Sequence, residues 1–307
     1  MAPAIRTINL TRCFGRGNSG VHDLALEVPS GTIYGFLGPN GAGKTTTIRL
    51  LLGLLRADSG SIEVCGHVAG TLAARAKVGA LVESPSLYPH LSGRDNLEVT
   101  RRLLASPRAQ VDTVLERVDL RHAAGQRVRE YSLGMRQRLG IALALLGAPD
   151  LLILDEPANG LDPAGIAELR ALLQGLLADG LTVFLSSHLL AEVELVATRV
   201  GVLKHGRLLF QGTLDELRSR APSQLQLQIA GHLAPAARDW LVSQGEQVRD
   251  EGGGRLSVET PRQSAAALNR GLVEAGFDVA GLVRTHATLE QLFFHLTSAN
   301  GAGRHGH

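Results

Sequence analysis

Apolar residues in the first 220 positions fall in short runs broken by glycine, proline and acidic turns, with longer amphipathic stretches between several of the runs. That alternation predicts strands over residues 5–10, 24–28, 32–37, 61–65, 78–82, 151–155, 181–186 and 200–204. It predicts helices after Gly43 and over 93–104, 135–146 and 163–177, the last with Asp162 able to cap its N-terminus and Pro163 at its first position. Strands alternating with helices imply an α/β fold, a largely parallel sheet with helices packed on it. His205 and Gly206 read as a hairpin turn joining 200–204 to 207–210, and Thr213 to Glu216 as a capping box opening a short helix.

The pattern changes at Ala221, Pro222 and Ser223, which suggests a domain boundary. Beyond it Leu225, Leu227 and Ile229 alternate with Gln224, Gln226 and Gln228, the period of a strand with one wet face. A helix over 235–243, a strand pair around 252–254, a helix over 264–274 ending at Gly276 and a strand over 277–283 follow. Residues 288–296 read as a closing helix with Leu289, Leu292, Phe293 and Leu296 on one side. These signals divide the chain into a first domain over 1–220, a small α+β domain over 223–298 and a tail over 299–307 expected to be disordered.

With 307 residues, 44% hydrophobic but only 4% aromatic, the core must be built from Leu, Val, Ile and Ala, which excludes a disordered or collagen-like chain. Thirty-one Lys and Arg against 29 Asp and Glu leave a charge of +2, too weak a field to advertise nucleic acid. Scarce aromatics also argue against a base-stacking platform. Cys13 and Cys65, the two cysteines, form no CxxC pair and suit a reducing cytosol. No signal peptide is visible at the N-terminus. The most apolar stretch, 139–154, is interrupted by Gly147, Pro149 and Asp150, short of the ~20 apolar residues of a spanning helix.

Gly38, Pro39, Asn40, Gly41, Ala42, Gly43, Lys44 and Thr45 fit GxxxxGK[ST] between an apolar strand and a helix. There the glycines let successive N–H groups curl around a polyphosphate, Lys44 reaches the β- and γ-phosphates, and the Thr45 hydroxyl holds Mg²⁺. Thr46 follows as a further nucleotide-binding candidate. The competing reading is an ordinary glycine-rich turn. Residues 151–154 are four branched aliphatics followed by Asp155 and Glu156, which places both acids at the carboxyl edge of the sheet. Asp155 suits a hydrated Mg²⁺ and Glu156 an attacking water; a merely charged strand end is the alternative.

On these motifs the chain resembles the ATP-binding subunit of an ATP-binding cassette (ABC) transporter. Tyr131, Ser132, Leu133, Gly134 and Met135 stand where that family carries its signature, LSGGQ in its commonest form; Ser132 and Gly134 match it and the other three depart. The resemblance implies a P-loop NTPase of the ABC type, with a helical signature subdomain over about 84–147 and ATP and Mg²⁺ as ligands. It also implies a second cassette, in a homodimer, whose γ-phosphate meets Ser132 and Gly134 across the interface. Asp162, in a stretch matching the D-loop, belongs to the same interface. His188 matches the switch histidine that contacts the γ-phosphate, and Phe14 the aromatic that stacks on adenine.

The family usually has Gln where this chain has Glu83, which is also able to meet the metal. Glu83 and the segment after it resemble the bacitracin- and lantibiotic-type exporters, which implies export of an antibiotic peptide, a lipid or a drug. Tyr88, Pro89 and Leu91 are candidates either for the groove that receives a membrane subunit or for core. A separate integral-membrane permease and a peripheral location on the cytoplasmic face of the cell membrane are implied. Against an exporter ATPase stand a cytosolic ABC-type ATPase not coupled to transport, and a P-loop kinase, which leaves Ser132, Gly134 and His188 without a role.

Overall fold

In the computed structural model, which describes residues 2–15, 19–188, 190–219, 224–259 and 263–285, the strands of a first unit (1–214) sort into two sheets. Pro3–Phe14 (β1), Ser19–Leu24 (β2), Glu27–Pro29 (β3), Ser59–Val64 (β5) and His67–Val68 (β6) form one, antiparallel, of order β2-β1-β5-β6 with β3 also paired to β1. Ile33–Leu37 (β4), Val78–Leu81 (β7), Leu151–Asp155 (β8), Thr182–Ser187 (β9), Arg199–Lys204 (β10) and Arg207–Thr213 (β11) form the other, of order β11-β10-β4-β9-β8-β7. It is parallel apart from the β10–β11 hairpin, which turns at His205 and Gly206.

The expectation of one largely parallel sheet is thereby corrected for the strands near 5–10, 24–28 and 61–65. Their surroundings differ from those of the parallel strands. β1 buries Ile5, Thr7 and Leu10 while exposing Arg6, Ile8 and Asn9, whereas all five residues of β8 are buried, as a strand covered on both faces requires. The strand expected over 24–28 is in fact broken at residues 25 and 26. The buried Thr7 hydroxyl donates to Leu24 O and accepts from Leu26 N, adding to the Thr7 N–H bond to Leu26 O that spans the break.

The helices of this unit are Lys44–Leu51 (α1), Leu72–Ala76 (α2), Gly93–Leu103 (α3), Ala109–Arg117 (α4), Leu133–Leu145 (α5), Pro163–Ala178 (α6) and Leu190–Glu194 (α7). Ile48, Leu50 and Leu51 of α1 join Ile5, Leu24 and Val64 of the antiparallel sheet and Phe36, Ile153 and Phe184 of the parallel one in a single buried cluster. The helix that begins at the P-loop is thus fixed from both sides. Helices α3, α4 and α5 pack on one another, and α5 returns to β7, where a Cβ on Gly79 would stand 2.1 Å from the Ala144 carbonyl oxygen.

A second unit (215–307) opens within Leu214–Ser219 (α8). It continues through Gln224–Ile229 (β12), Ala234–Ser243 (α9), Gln247–Gly252 (β13), Arg255–Glu259 (β14), Ala265–Glu274 (α10) and Val279–Thr285 (β15). The strands form an antiparallel sheet of order β13-β14-β12-β15, the split βαβ arrangement of ferredoxin-like domains. Leu225, Leu227, Ile229, Leu256 and Val258 share a buried cluster with Ala237, Leu241, Leu268 and Leu272 of the two helices. The boundary residues 221–223, the helix expected over 288–296 and the tail 299–307 lie outside the described residues.

Candidate active site

Strand β4 delivers the chain to residues 38–43 at its carboxyl end, where Gly41 (φ 77°) and Gly43 (φ 108°) adopt left-handed backbone before α1 begins. A Cβ on Gly43 would also stand 2.9 Å from Gly20 O, so this position requires glycine twice over. No side chain caps α1. Its first-turn N–H groups therefore lack intrahelical acceptors beside a cleft of about 560 Å³, bordered by Phe14, Pro39, Asn40, Gly41, Gly43, Lys44, Thr45, Thr46, Glu156 and His188. Gly38 and Ala42 sit behind that lining. Lys44 Nζ donates to Gly38 O at 2.7 Å, and Ala42 O accepts from Gly206 N at 2.8 Å, tying the loop to the β10–β11 turn.

Phe14 ends β1 at the mouth of this cleft, 40% exposed, with the Arg12 guanidinium 5.2 Å from its ring centroid. An exposed ring at a polyphosphate cleft is placed to stack on a base. Phe14→Ala is expected to weaken ATP binding about tenfold, within the ~1–3 kcal/mol typical of base–aromatic stacking. Fluorescence titration with a labelled nucleotide checks this, and unchanged affinity would return Phe14 to the scaffold.

Across the cleft, the parallel register of β8 and β9 sets Asp155 beside Ser186. The Ser186 hydroxyl donates to Asp155 Oδ1 at 2.5 Å and accepts the Glu156 N–H at 2.9 Å, locking the turn after β8. Glu156 itself takes left-handed backbone (φ 50°). Its Oε1 lies 3.1 Å from Lys44 Nζ, and its Oε2 lies 2.6 Å from His188 Nδ1 and accepts the His188 N–H at 3.3 Å. Partial burial pushes the Glu156 carboxyl upward, but the hydrogen bonds and charges of His188 and Lys44 outweigh it and hold the group below the usual carboxylate range. Lys44, Glu156 and His188 are thus one connected set.

Thr45 and Asp155 border a second opening of about 440 Å³, together with Glu83, Arg136, Glu156 and Asn159. The Thr45 hydroxyl and Asp155 Oδ2 have no hydrogen-bond partner among the described residues, and Asp155 is only 4% exposed. Two oxygen donors, one anionic, beside a polyphosphate cradle fit Mg²⁺, which keeps waters and phosphate oxygens for its remaining positions. Among the described residues no cluster of three or more acidic, histidine or cysteine side chains offers an all-protein cage instead. Glu83 borders the same opening but pairs with Arg49.

Ser132 and Gly134 are not among the residues that line the P-loop cleft, whereas Leu133 between them borders the second opening. Ser132 is exposed and caps α5, its hydroxyl accepting from Met135 N at 3.2 Å, with Gly134 in the first turn behind it. Tyr131, where the commonest signature form has Leu, is buried, and its hydroxyl donates to Ala123 O at 2.7 Å. Asp162 caps α6 by accepting from Gly165 N at 2.8 Å. Tyr88 and Pro89 are exposed and Leu91 is half-buried; the backbone there is held by Asn96, whose side chain bonds both Tyr88 N and Tyr88 O. Sequence reasoning missed the bridging role of Ser186 and the pairing of Arg49. A hydroxyl at the end of the strand next to β8 was the signal for the first.

A P-loop, a carboxylate pair at the sheet edge and a histidine closing on the second carboxylate define a P-loop NTPase site. Residues 21–159 match the family model described as "ABC transporter". The bacitracin transport ATP-binding protein BcrA of Bacillus licheniformis is 39% identical over 99% of this chain and 100% of its own length. The daunorubicin resistance ATP-binding protein DrrA3 of Streptomyces coeruleorubidus is 40% identical over 89% of this chain and 90% of its own. A solved structure of an ATP-binding subunit of an ABC transporter superposes with a TM-score of 0.63 at 29% identity, covering 71% of this chain and 92% of that one. The chain belongs to the ABC transporter family, as an ATP-binding subunit that hydrolyses ATP to drive transport. Its first unit is the ABC-type P-loop NTPase, followed by a small α+β domain.

Proposed function

We propose that this chain powers export of an antibiotic peptide or a drug of comparable character through a separate integral-membrane permease, bound at the cytoplasmic face of the membrane. The observation that carries the reading is likeness over the whole length: BcrA, a bacitracin transport protein, aligns through the second unit as well as the cassette. Among the described residues no helix is long and apolar enough to cross a membrane, so the pathway falls to another subunit. Tyr88 and Pro89, five and six residues after Glu83 in sequence, offer it an exposed contact.

Two cassettes close on ATP. Ser132 and Gly134 lie outside the lining of their own P-loop cleft, which supports service to the phosphate of a second copy. Asp162 stands at the same junction. Within each cleft Lys44 and the α1 N–H groups hold the β- and γ-phosphates, His188 contacts the γ-phosphate, and Glu156, released from Lys44 and His188, orients and deprotonates the attacking water. Thr45 and Asp155 would hold Mg²⁺, which would supply positive charge to offset that of the phosphates.

Mild-detergent extraction of membranes carrying the affinity-tagged chain tests the partner. An integral-membrane protein with several spans should copurify, and Tyr88→Arg should lose it while ATP binding is retained. Full recovery of an active ATPase without any membrane protein would overturn the permease reading.

A further inference from the structure

Three carboxylates border the opening that holds Thr45: Glu83, Asp155 and Glu156. Two of them are matched to cations. Glu156 faces Lys44 at 3.1 Å, and Glu83 faces Arg49, Oε1 to Nη2, at 2.5 Å. Asp155 has no cationic partner among the described residues and is left as the one uncompensated acid. The Glu83 pairing follows from the fold. Arg49 comes four residues after Thr45 on α1 and so lies one turn along the same face of the helix, while Glu83 follows β7 in left-handed backbone (φ 61°). Both side chains remain accessible, 44% and 64% exposed, so the pair is screened by solvent and opens at little cost.

A carboxylate at the edge of a divalent-cation site is either a ligand or the partner of another cation. Hard cations gain affinity with each anionic oxygen added, so the difference is measurable. We propose that Arg49 is a positioning residue that holds the Glu83 carboxylate out of the metal's ligand set, so that metal affinity depends on whether the Arg49–Glu83 pair is closed. Resting on the reading that Thr45 and Asp155 hold the metal, the inference gives the carboxylate at position 83 a conditional role: neutralised while Arg49 grips it, an added ligand once released. Any partner that drew Arg49 away would tighten the metal on the bound nucleotide.

The test uses Mn²⁺ as a visible probe, its binding to the full chain with a non-hydrolysable ATP analogue followed by electron paramagnetic resonance. Arg49→Gln should tighten Mn²⁺ about fivefold to tenfold, as an added anionic ligand does. Arg49→Lys, which retains the charge, should stay within about twofold of the parent, and so should Glu83→Gln alone and the double variant Arg49→Gln/Glu83→Gln. A general disturbance of α1 would instead persist in the double variant. Unchanged or weaker Mn²⁺ binding in Arg49→Gln, or tightening that survives loss of Glu83, overturns the proposal. Thr45→Val separates the two layers: if it leaves Mn²⁺ affinity intact, the metal reading itself fails, whereas weakening by Thr45→Val with no response to Arg49→Gln removes Arg49 alone.

Discussion

Glu156→Gln is expected to lower steady-state ATP hydrolysis by about 10²–10⁴-fold, the range for removing a positioned general base, while ATP binding persists. The side chain is isosteric, so the turn after β8 held by Ser186 should survive. Gln keeps the hydrogen bond to His188 but has no charge for Lys44 and no basic oxygen for water. Loss of the Lys44–Glu156 ion pair also frees Lys44 for phosphate, so affinity should hold or rise. Rapid-mix phosphate release and equilibrium nucleotide binding, measured on one preparation, separate the two effects. Turnover within a few fold of the parent would take the catalytic base away from Glu156.

The same substitution has an acid-side signature. The folded-state pKa of Glu156 is lowered, so the group contributes stability that is present above its unfolded pKa and is lost as pH falls through the folded value. The Gln variant should lack that share of the acid dependence, which a pH series of denaturant melts without nucleotide would read.

What the sequence disclosed and what it hid divide along a physical line. Elements specified by their own residues were legible. The four aliphatics before Asp155 fix β8 because a strand buried on both faces admits little else, and Asp162 followed by Pro163 fixes the start of α6. Alternation of Leu and Gln fixes β12. The P-loop needs its glycines for backbone reasons that any sequence reader can apply. Helix α4 was legible but passed over: Val111, Val114, Leu115 and Val118 repeat at helical spacing and are all buried.

Relations between distant segments were not legible. Allocation of β1, β2, β3 and β5 to a sheet of their own depends on which strands pair, and local period carries no such information. The Ser186 bridge needs the register of β8 against β9, and the Arg49–Glu83 pair needs α1 and the end of β7 brought together. The lowered pKa of Glu156 likewise comes from Lys44 and His188, 112 and 32 residues away in sequence. The chemistry-bearing residues were therefore named from the sequence, while the contacts that tune them came from the fold.

Ser132 offers the second large effect, because its position makes a prediction that an ordinary helix cap does not. Arg at 132 removes the acceptor for Met135 N, at a cost of about 1 kcal/mol for a lost cap, and sets a cation at the positive end of α5. Asp at 132 keeps the cap but places a carboxylate where a phosphate is proposed to come. If Ser132 acted only through helix stability, Ser132→Arg would be impaired and Ser132→Asp sound. Service to a phosphate predicts instead that both lose ATP-induced dimerisation and at least about 10²-fold in hydrolysis, the scale of a lost oxyanion donor, with nucleotide binding by the monomer unchanged. Mixing then decides between one chain and two. Ser132→Asp and Lys44→Ala are each expected to be inactive alone, yet a mixed dimer joins the intact P-loop of the first to the intact signature of the second. Recovery of hydrolysis on mixing requires the site to be shared between chains, and a mixture as inactive as its components would confine Ser132 to its own cassette.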